Sequence, residues 1–400
     1  MKNNYKAVII GGGASGLLCA VELLRGQNAL LGQDVLILER NDRVGKKLIA
    51  TGNGQGNLCN SDFSQDYYHG DKSFIQTFVK NANDINIEQY LCSIGIPLTK
   101  EDGKRYPISK QANSVLDILR LFLQKKGCQI ITGEKAISVK LNKKGYVIKT
   151  EKSNYNGDNV VLAFGGSVGK QYGTDGTSYS LATNLGHSVT KIYPSLVQLK
   201  TDLTKIRGLK GLKEKVKLSA LDGNKVLKTT IGELLFTEFG VSGNAVFTLS
   251  AYLTDAKNPS LKVEFMPEFS KEEIENLILD RQRLGFVPKE DYLTGLINKR
   301  IGQAVIKSLD EISPQTVSNA LKSFTLKVTG NLGFNYAQVT KGGIRVSEVN
   351  PETFESKLSK GLYITGEALD VDGDCGGYNL TFAFVSGIIS AKAVKQKYSI

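Results

Sequence analysis

Val8-Ile9-Ile10-Gly11-Gly12-Gly13-Ala14-Ser15-Gly16-Leu17-Leu18, near the amino end, decides how the chain is read. Lys6 to Ile10 is short, apolar and β-branched toward the glycines, as a buried strand requires. After the glycines, Leu17, Leu18, Ala20, Val21, Leu23 and Leu24 recur at helical spacing, and the pattern ends near Gly26. A second apolar run, Val35-Leu36-Ile37-Leu38, stops at Glu39. Strand, glycine turn, helix, strand and acid in that order form a dinucleotide-binding fingerprint. In it Gly11 permits the tight turn, Gly13 lets backbone approach a pyrophosphate, and Gly16 lets helix and strand pack closely. The amino end of the helix offers free N–H groups and the positive end of its dipole. Glu39 is placed to accept from ribose hydroxyls, and its charge disfavours a 2′-phosphate. The fingerprint by itself does not separate FAD from NAD.

Outward from this unit the chain stays irregular over 45–60, which is dense in Gly and Asn. The spacing predicts helix over 71–93 and a helix capped by Ser109 that runs to Lys126. Strands are expected near 128–132, 136–141 and 146–150, with Asn142-Lys143-Lys144-Gly145 as a turn, and Val160-Val161-Leu162-Ala163 as a buried strand. After Pro194 the style changes. Short alternating strands are expected to about 265, with a turn at Asp222-Gly223-Asn224-Lys225, and helices over 270–323 with Ser270 as an N-cap. From about 340 the glycine-rich style returns. The domain reading is therefore 1–190 plus 335–400 for the nucleotide, 191–269 as a β-rich insert, and 270–334 as a helical subdomain and return.

Composition supports a globular chain of two or three domains at roughly 150 residues each. Of 400 residues 41% are hydrophobic and 22% charged, which excludes a disordered or collagen-like chain. No apolar run approaches the ~18 residues of a membrane helix, and Met1 to Lys6 does not open a signal peptide, so the expected location is the cytoplasm. Basic residues outnumber acidic by 51 to 39, a net charge of +12. The longest strictly basic runs are pairs such as Lys46-Lys47, which argues against nucleic acid as the main partner. The five cysteines form no C-x-x-C, so free thiols are expected. With two histidines, His69 and His187, a His-rich metal site is excluded, and a Ser-His-acid triad would have to use one of them. No metal is expected.

The carboxyl-terminal third carries the sharpest feature. Leu362 to Thr365 reads as a strand that ends in Gly366-Glu367. Asp370, Asp372, Asp374 and Cys375 follow, then Gly376-Gly377 and a helix from about Tyr378 to Lys395. Its first amides and dipole suit the pyrimidine edge of a flavin, where negative charge develops on reduction. Together with Val44-Gly45-Lys46-Lys47-Leu48 and Thr51-Gly52-Asn53-Gly54-Gln55-Gly56-Asn57, which lie where flavoproteins run along the cofactor, this favours FAD. Lys46 and Lys47 either meet the phosphates or stand as a solvated charge pair.

These stretches resemble a bacterial family of FAD-binding oxidoreductases, the NAD(P)/FAD-dependent or aminoacetone-oxidase-like flavoproteins, some of them linked to bile-acid dehydroxylation. The resemblance extends to Gly232–Gly243 and to Ala337-Gln338-Val339-Thr340-Lys341-Gly342-Gly343. It implies an α/β fold: a Rossmann-type FAD-binding domain with an inserted β-barrel-like domain and a small helical subdomain. It implies FAD contacts from Ala14, Ser15, Glu39, Arg40, Lys47, Leu48 and the loop through Gly52, Asn53 and Asn57. Further contacts are implied from Ala136 at the adenine, and from Gly366, Glu367, Asp370, Gly377, Asn379 and Leu380. The chain departs from the family at Gln55-Gly56, where Arg-Cys is usual, at Glu238, where His is usual, and at Asn244, where Pro is usual.

The expected function is an FAD-dependent oxidoreductase that moves hydride between an organic small-molecule substrate, or a reduced nicotinamide, and flavin N5. No second G-x-G-x-x-G unit exists, so NAD(P)H would visit only transiently. The substrate is expected near Asn53, Tyr378 and 236–244. No residue is assigned as catalytic: Tyr378, Asp372 and Asp374 are weak proton-transfer candidates that read rather as a core phenol and turn stiffeners, and Cys375 reads as an inert thiol before a nucleophile. His187 is expected to begin a strand, and His69 to lie in a Tyr-rich loop. The alternatives are an FAD-containing RNA-modifying or RNA-binding protein, and a flavoprotein with a regulatory role. Oligomeric state is left open.

Overall fold

The apolar run before the glycines is strand β1 (Asn4–Ile10) in the structure, a computed structural model that describes residues 4–398. The reading of Met1 to Asn3 as free of a targeting signal lies outside the described residues. Two units divide the chain, one made of 1–193 with 339–400, the other of 194–338.

In the first unit β1 feeds helix α1 (Ala14–Leu23) and β2 (Val35–Leu38). A one-turn helix α2 (Lys46–Ile49), β3 (Cys59–Asn60), β4 (Tyr68–Gly70), α3 (Lys72–Ile85) and α4 (Ile87–Ser93) follow. The hairpin β5 (Leu98–Glu101) and β6 (Lys104–Pro107) leads to α5 (Ala112–Lys125), then to β7 (Gln129–Ile131), β8 (Ala136–Asn142), β9 (Gly145–Thr150), β10 (Asn154–Leu162) and α6 (Tyr179–Thr183). Strand β11 (Tyr193–Ser195) straddles the boundary along the chain.

The second unit holds β12 (Leu199–Thr201), β13 (Lys213–Asp222), β14 (Lys225–Phe236), β15 (Gly240–Ser242), α7 (Asn244–Ser250) and β16 (Pro259–Glu264). Helices α8 (Lys271–Leu284), α9 (Lys299–Lys307) and α10 (Pro314–Lys322) precede β17 (Phe324–Asn331). The strands close a barrel in the order β12-β15-β14-β13-β16-β17, so the sheet has no open edge. Barrel and helices share one apolar cluster, with Leu218, Leu234, Leu261, Ile278, Val305 and Leu321 all buried.

The chain returns to the first unit through β18 (Val339–Lys341), β19 (Leu362–Ile364), β20 (Val371–Gly373) and α11 (Tyr378–Gln396). Strands β7, β2, β1, β10 and β19 run parallel; β9 and β8 are antiparallel additions to the first half of β10. Helices α1 and α11 pack directly: a Cβ on Gly387 would stand 2.3 Å from Ser15 O, so only glycine admits this approach. Leu17, Leu18, Phe384 and Ile388 are buried, each worth roughly 1.5–3 kcal/mol on full burial. The carboxyl ends of β1, β2, β10 and β19 therefore open on one edge, where parallel α/β sheets bind ligands.

Several local expectations are corrected. The 45–60 segment is not wholly irregular: α2 and a 3-10 turn over Thr51–Gly54 interrupt it. The helix over 71–93 is two helices, because Asn86 takes a left-handed φ of 48° and caps the second. Gln111 rather than Ser109 precedes α5; Ser109 Oγ bonds Ser114 Oγ instead. His187 begins no strand, since Val189 forms only an isolated bridge to Ile344. The β5–β6 hairpin turns at Asp102-Gly103, a signal the sequence carries, but the strands flanking it are too charged to read as strands. Helix α7 falls inside the stretch expected to be all strand. Among the described residues no helix is long and apolar enough to cross a membrane.

Candidate functional site

The glycine turn sits at the carboxyl end of β1. Gly11 has φ 112°, and a Cβ there would lie 2.3 Å from Ala163 O. A Cβ on Gly16 would lie 2.0 Å from Gly11 O. Gly13 differs: with φ −82° it is open to side chains, and nothing stands within 4 Å of its would-be Cβ. That empty space faces the amino end of α1, where Ala14 and Ser15 begin the helix without a side-chain cap. It is a cradle of the kind a pyrophosphate fills.

Glu39 is buried at the end of β2. Its Oε2 accepts from Gly12 N at 2.8 Å, and its Oε1 from Asn41 N and Nδ2, both at 2.8 Å. A carboxylate has about four acceptor positions, so one remains for a ligand hydroxyl. The 133–134 segment lies alongside through Gly133 N to Asn41 O (2.7 Å) and Glu134 N to Glu39 O (3.0 Å), and Ala136, two residues on, is buried at the start of β8.

The carboxyl-terminal block reaches the same place. Gly366, at φ 64°, is so close to α1 that a Cβ would lie 2.9 Å from Ser15 Oγ. Glu367 Oε2 accepts from Lys47 Nζ at 2.6 Å, and Glu367 Oε1 from Thr340 N at 2.8 Å. Lys47 Nζ also donates to Val168 O at 3.1 Å, and Thr340 Oγ1 accepts from Ser167 N and Val168 N. Eight residues separate Asn379 from Gly387, so the start of α11 lies about 12 Å along the helix from Ser15. There Gly377 has φ 102°, and a Cβ would stand 2.8 Å from the Cys59 backbone. The amino end of α11 and the 51–60 loop therefore meet, and α11 has no side-chain cap, leaving its first amides without helical partners. Asn57 Oδ1 is buried with no partner among the described residues, as are Tyr179 Oη and Thr365 Oγ1. An open glycine cradle, an uncapped helix and orphaned polar atoms fit an elongated polar ligand such as FAD.

The remaining expected residues divide. Leu48 is buried, whereas Gly52 and Asn53 are exposed with φ 56° and 54°. Asp370 is partly buried, and burial raises its carboxyl above the usual range. Leu380 is partly buried in the first turn of α11. The Arg40 guanidinium is committed to Asp175 by two bonds of 2.8 and 3.0 Å, and it holds that carboxyl far below the usual range. Asn379 spends its side chain on its own loop, accepting from Gly373 N at 2.8 Å and donating to Gly373 O at 2.7 Å. Asn41, Thr340 and Asp175 order the site and were missed, since no local pattern marks a residue whose partner is far along the chain.

Tyr378 is a buried phenol stacked on Tyr67, with ring centroids 4.4 Å apart. Burial pushes the Cys375 thiol up, as an inert thiol requires. Asp372 and Asp374 do more than stiffen a turn: both contact His69, which lies in β4 rather than a loop. His187 does meet a serine and an acid, with Nδ1 3.0 Å from Glu348 Oε2 and Nε2 2.8 Å from Ser356 Oγ. This is not a nucleophile: Ser356 is buried, and its Oγ already accepts from Leu358 N and Ser359 N at 3.0 Å each. Ser356→Ala should leave redox turnover unchanged and cost about 1–3 kcal/mol of stability, read by urea denaturation, because two amides lose their acceptor. Lost turnover at unchanged stability would contradict this.

Fold and site define a Rossmann-type flavoprotein: FAD is the cofactor, and the chain is an FAD-dependent oxidoreductase. Residues 5–393 match the HI0933-like protein Rossmann domain family, and the chain belongs to that family. It is 34% identical over 97% of its length, and 98% of the relative's, to the 3-dehydro-bile acid delta(4,6)-reductase of Clostridium scindens. It is 24% identical, over 99% of its length and 100% of the relative's, to the ribosomal RNA dihydrouridine synthase of Haemophilus influenzae. In fold it is similar to a 3-ketosteroid-delta4-(5alpha)-dehydrogenase of Rhodococcus jostii, with TM-score 0.54, 15% identity, and coverage of 98% of this chain and 97% of that one.

Proposed function

We propose that the enzyme is a cytoplasmic reductase that saturates a carbon–carbon double bond conjugated to a carbonyl in a small organic substrate, with reduced nicotinamide as a transient electron donor. The observation that carries this reading is the meeting of the uncapped amino end of α11 with the 51–60 loop, about 12 Å along that helix from the glycine turn. The names of the two relatives above support the bond class: a delta(4,6)-reductase of a 3-dehydro-bile acid and a dihydrouridine synthase each denote saturation of such a bond.

Bound FAD supplies the two-electron transfer. The protein supplies binding and electrostatics. Amides of the Gly11–Gly16 turn hold the pyrophosphate, and Glu39 accepts from the adenosine ribose. Ala136 borders the adenine. Leu48, Gly52 and Asn53 would line the cofactor, and Asn57 Oδ1, buried without a hydrogen-bond partner among the described residues, would accept from it. The first amides of α11, from Tyr378 to Leu380, would receive the pyrimidine end and favour negative charge there. Lys47, paired with Glu367, neutralises that carboxylate beside the cofactor path. Arg40, through Asp175, orders the loop over the adenosine end.

The test is anaerobic. The purified holoprotein should bleach near ~450 nm with NADH or NADPH, then regain its colour with 3-keto-4-ene or 3-keto-4,6-diene substrates. Bleaching that saturated ketones reverse equally well would remove the proposed bond class. A second reading, reduction of uridine in RNA, is favoured by six basic residues between 205 and 217 (Lys205, Arg207, Lys210, Lys213, Lys215, Lys217) against one acid, Glu214. It requires RNA-dependent reoxidation and binding that weakens steeply with salt.

A further inference from the structure

We infer that His69, as an imidazolium clamped between Asp372 and Asp374, is a positioning residue that holds the 370–377 loop, and with it the amino end of α11, where the flavin is received. This rests on the cofactor assignment proposed above.

Strand pairing builds the clamp. Strands β20 and β4 are antiparallel, with Asp372 directly opposite His69. Asp374 lies two residues beyond Asp372, which is the spacing that returns a side chain to the same face. The ring reaches both: Nδ1 stands 3.1 Å from Asp372 Oδ2 in a hydrogen bond, and Nε2 stands 3.1 Å from Asp374 Oδ1 as an ion-pair contact. Asp372 and Asp374 are each 3% exposed. A neutral imidazole carries one N–H and would turn a lone pair toward one carboxylate; the charged ring places positive charge against both. Without that charge the two buried carboxylates would lose the cation they share.

The loop thus held is also the one that sets α11. Asp374 N donates to Tyr67 O at 2.9 Å, and Tyr68 Oη donates to Tyr378 O at 3.0 Å. Tyr67 stacks on Tyr378, and the Asn379 side chain closes on Gly373. His69 is the cation of this set of ties. Around it, the phenols of Tyr67, Tyr68 and Tyr378 and the thiol of Cys375 are all pushed up, chiefly by burial or, for Tyr67, by its bond to Asp62, so they stay neutral. Asp370 lies toward Asp372 and is itself raised by burial; Lys341 and Arg345 act on Asp370. Lys104 acts on Cys375.

Burial opposes the charge on His69, yet the bonds to Asp372 and Asp374 and their charges outweigh it and raise the ring from 6.5 to about 9. The folded state therefore holds a proton that the unfolded chain releases. Its contribution is complete below pH 6.5, declines from there to about 9, and is absent above.

The experiment compares wild type, His69→Gln and the double variant His69→Gln/Asp374→Asn, each reconstituted with FAD. Affinity is read from quenching of flavin fluorescence and stability from melting temperature across the same pH range. His69→Gln should weaken FAD binding about tenfold or more and abolish the alkaline fall in melting temperature. Adding Asp374→Asn should restore most of the affinity, because it removes one of the two facing charges; a residue with a merely space-filling role would not be rescued this way. Wild-type affinity in His69→Gln, or a double variant no tighter than the single, overturns the proposal. Should His69→Gln fail to fold, wild type decides: a melting temperature flat between pH 6.5 and 9 overturns it. A wild type that binds no FAD refutes the cofactor assignment instead, while the pH profile still tests the clamp.

Discussion

Gly13→Val is expected to give a folded, soluble and colourless protein. The backbone at Gly13 has φ −82° and ψ −167°, a region valine adopts readily, and its would-be Cβ meets nothing within 4 Å. Stability should therefore move by no more than about 0.5 kcal/mol, as for a surface substitution. The side chain would nonetheless project into the space assigned to the pyrophosphate. Affinity for FAD should fall at least about a hundredfold, or ~2.7 kcal/mol. The neighbouring glycines give the contrast. Alanine at Gly11 or Gly16 places a carbon 2.3 or 2.0 Å from a backbone oxygen, so those variants should lose the fold itself. Melting temperature and flavin content, measured on all three, separate the two kinds of glycine. Gly13→Val purified yellow, with wild-type affinity, would move the pyrophosphate elsewhere.

Glu39→Ala is expected to lower FAD affinity about a hundredfold, since a hydrogen bond to a charged group contributes about 1.5–3 kcal/mol. Part of the loss would come from the turn itself, because Gly12 N and Asn41 N lose their acceptor in a buried place. Ligand choice distinguishes the two contributions. A ribose contact predicts that ADP and FAD binding suffer while riboflavin binding, which lacks the adenosine ribose, does not. Equal losses for all three would leave Glu39 as a brace of the glycine turn only. Full affinity for FAD in Glu39→Ala would rule out both roles.

Much of the nucleotide end was legible in the amino acids because its determinants are local. β1, the glycine turn, α1, β2 and Glu39 occupy one short stretch, and each is recognised by residue type and spacing. The capping residue of α8, Ser270, was equally plain, since its box with Glu273 spans one turn. The boundary errors have the same origin in reverse. Asn86 breaks a helix that periodicity alone continues, and α5 begins only after Gln111, while the Ser109 hydroxyl bonds Ser114.

What the order of residues determined was a Rossmann-type fold, a buried acid at the end of its second strand, and a glycine-led helix toward the other end of the chain. Tertiary structure alone decided which distant groups share charge: Lys47 with Glu367, Arg40 with Asp175, and His69 with Asp372 and Asp374. The reason is physical. Backbone conformation follows from near neighbours, whereas an ion pair between residues more than three hundred positions apart exists only after the sheet has brought its strands into register.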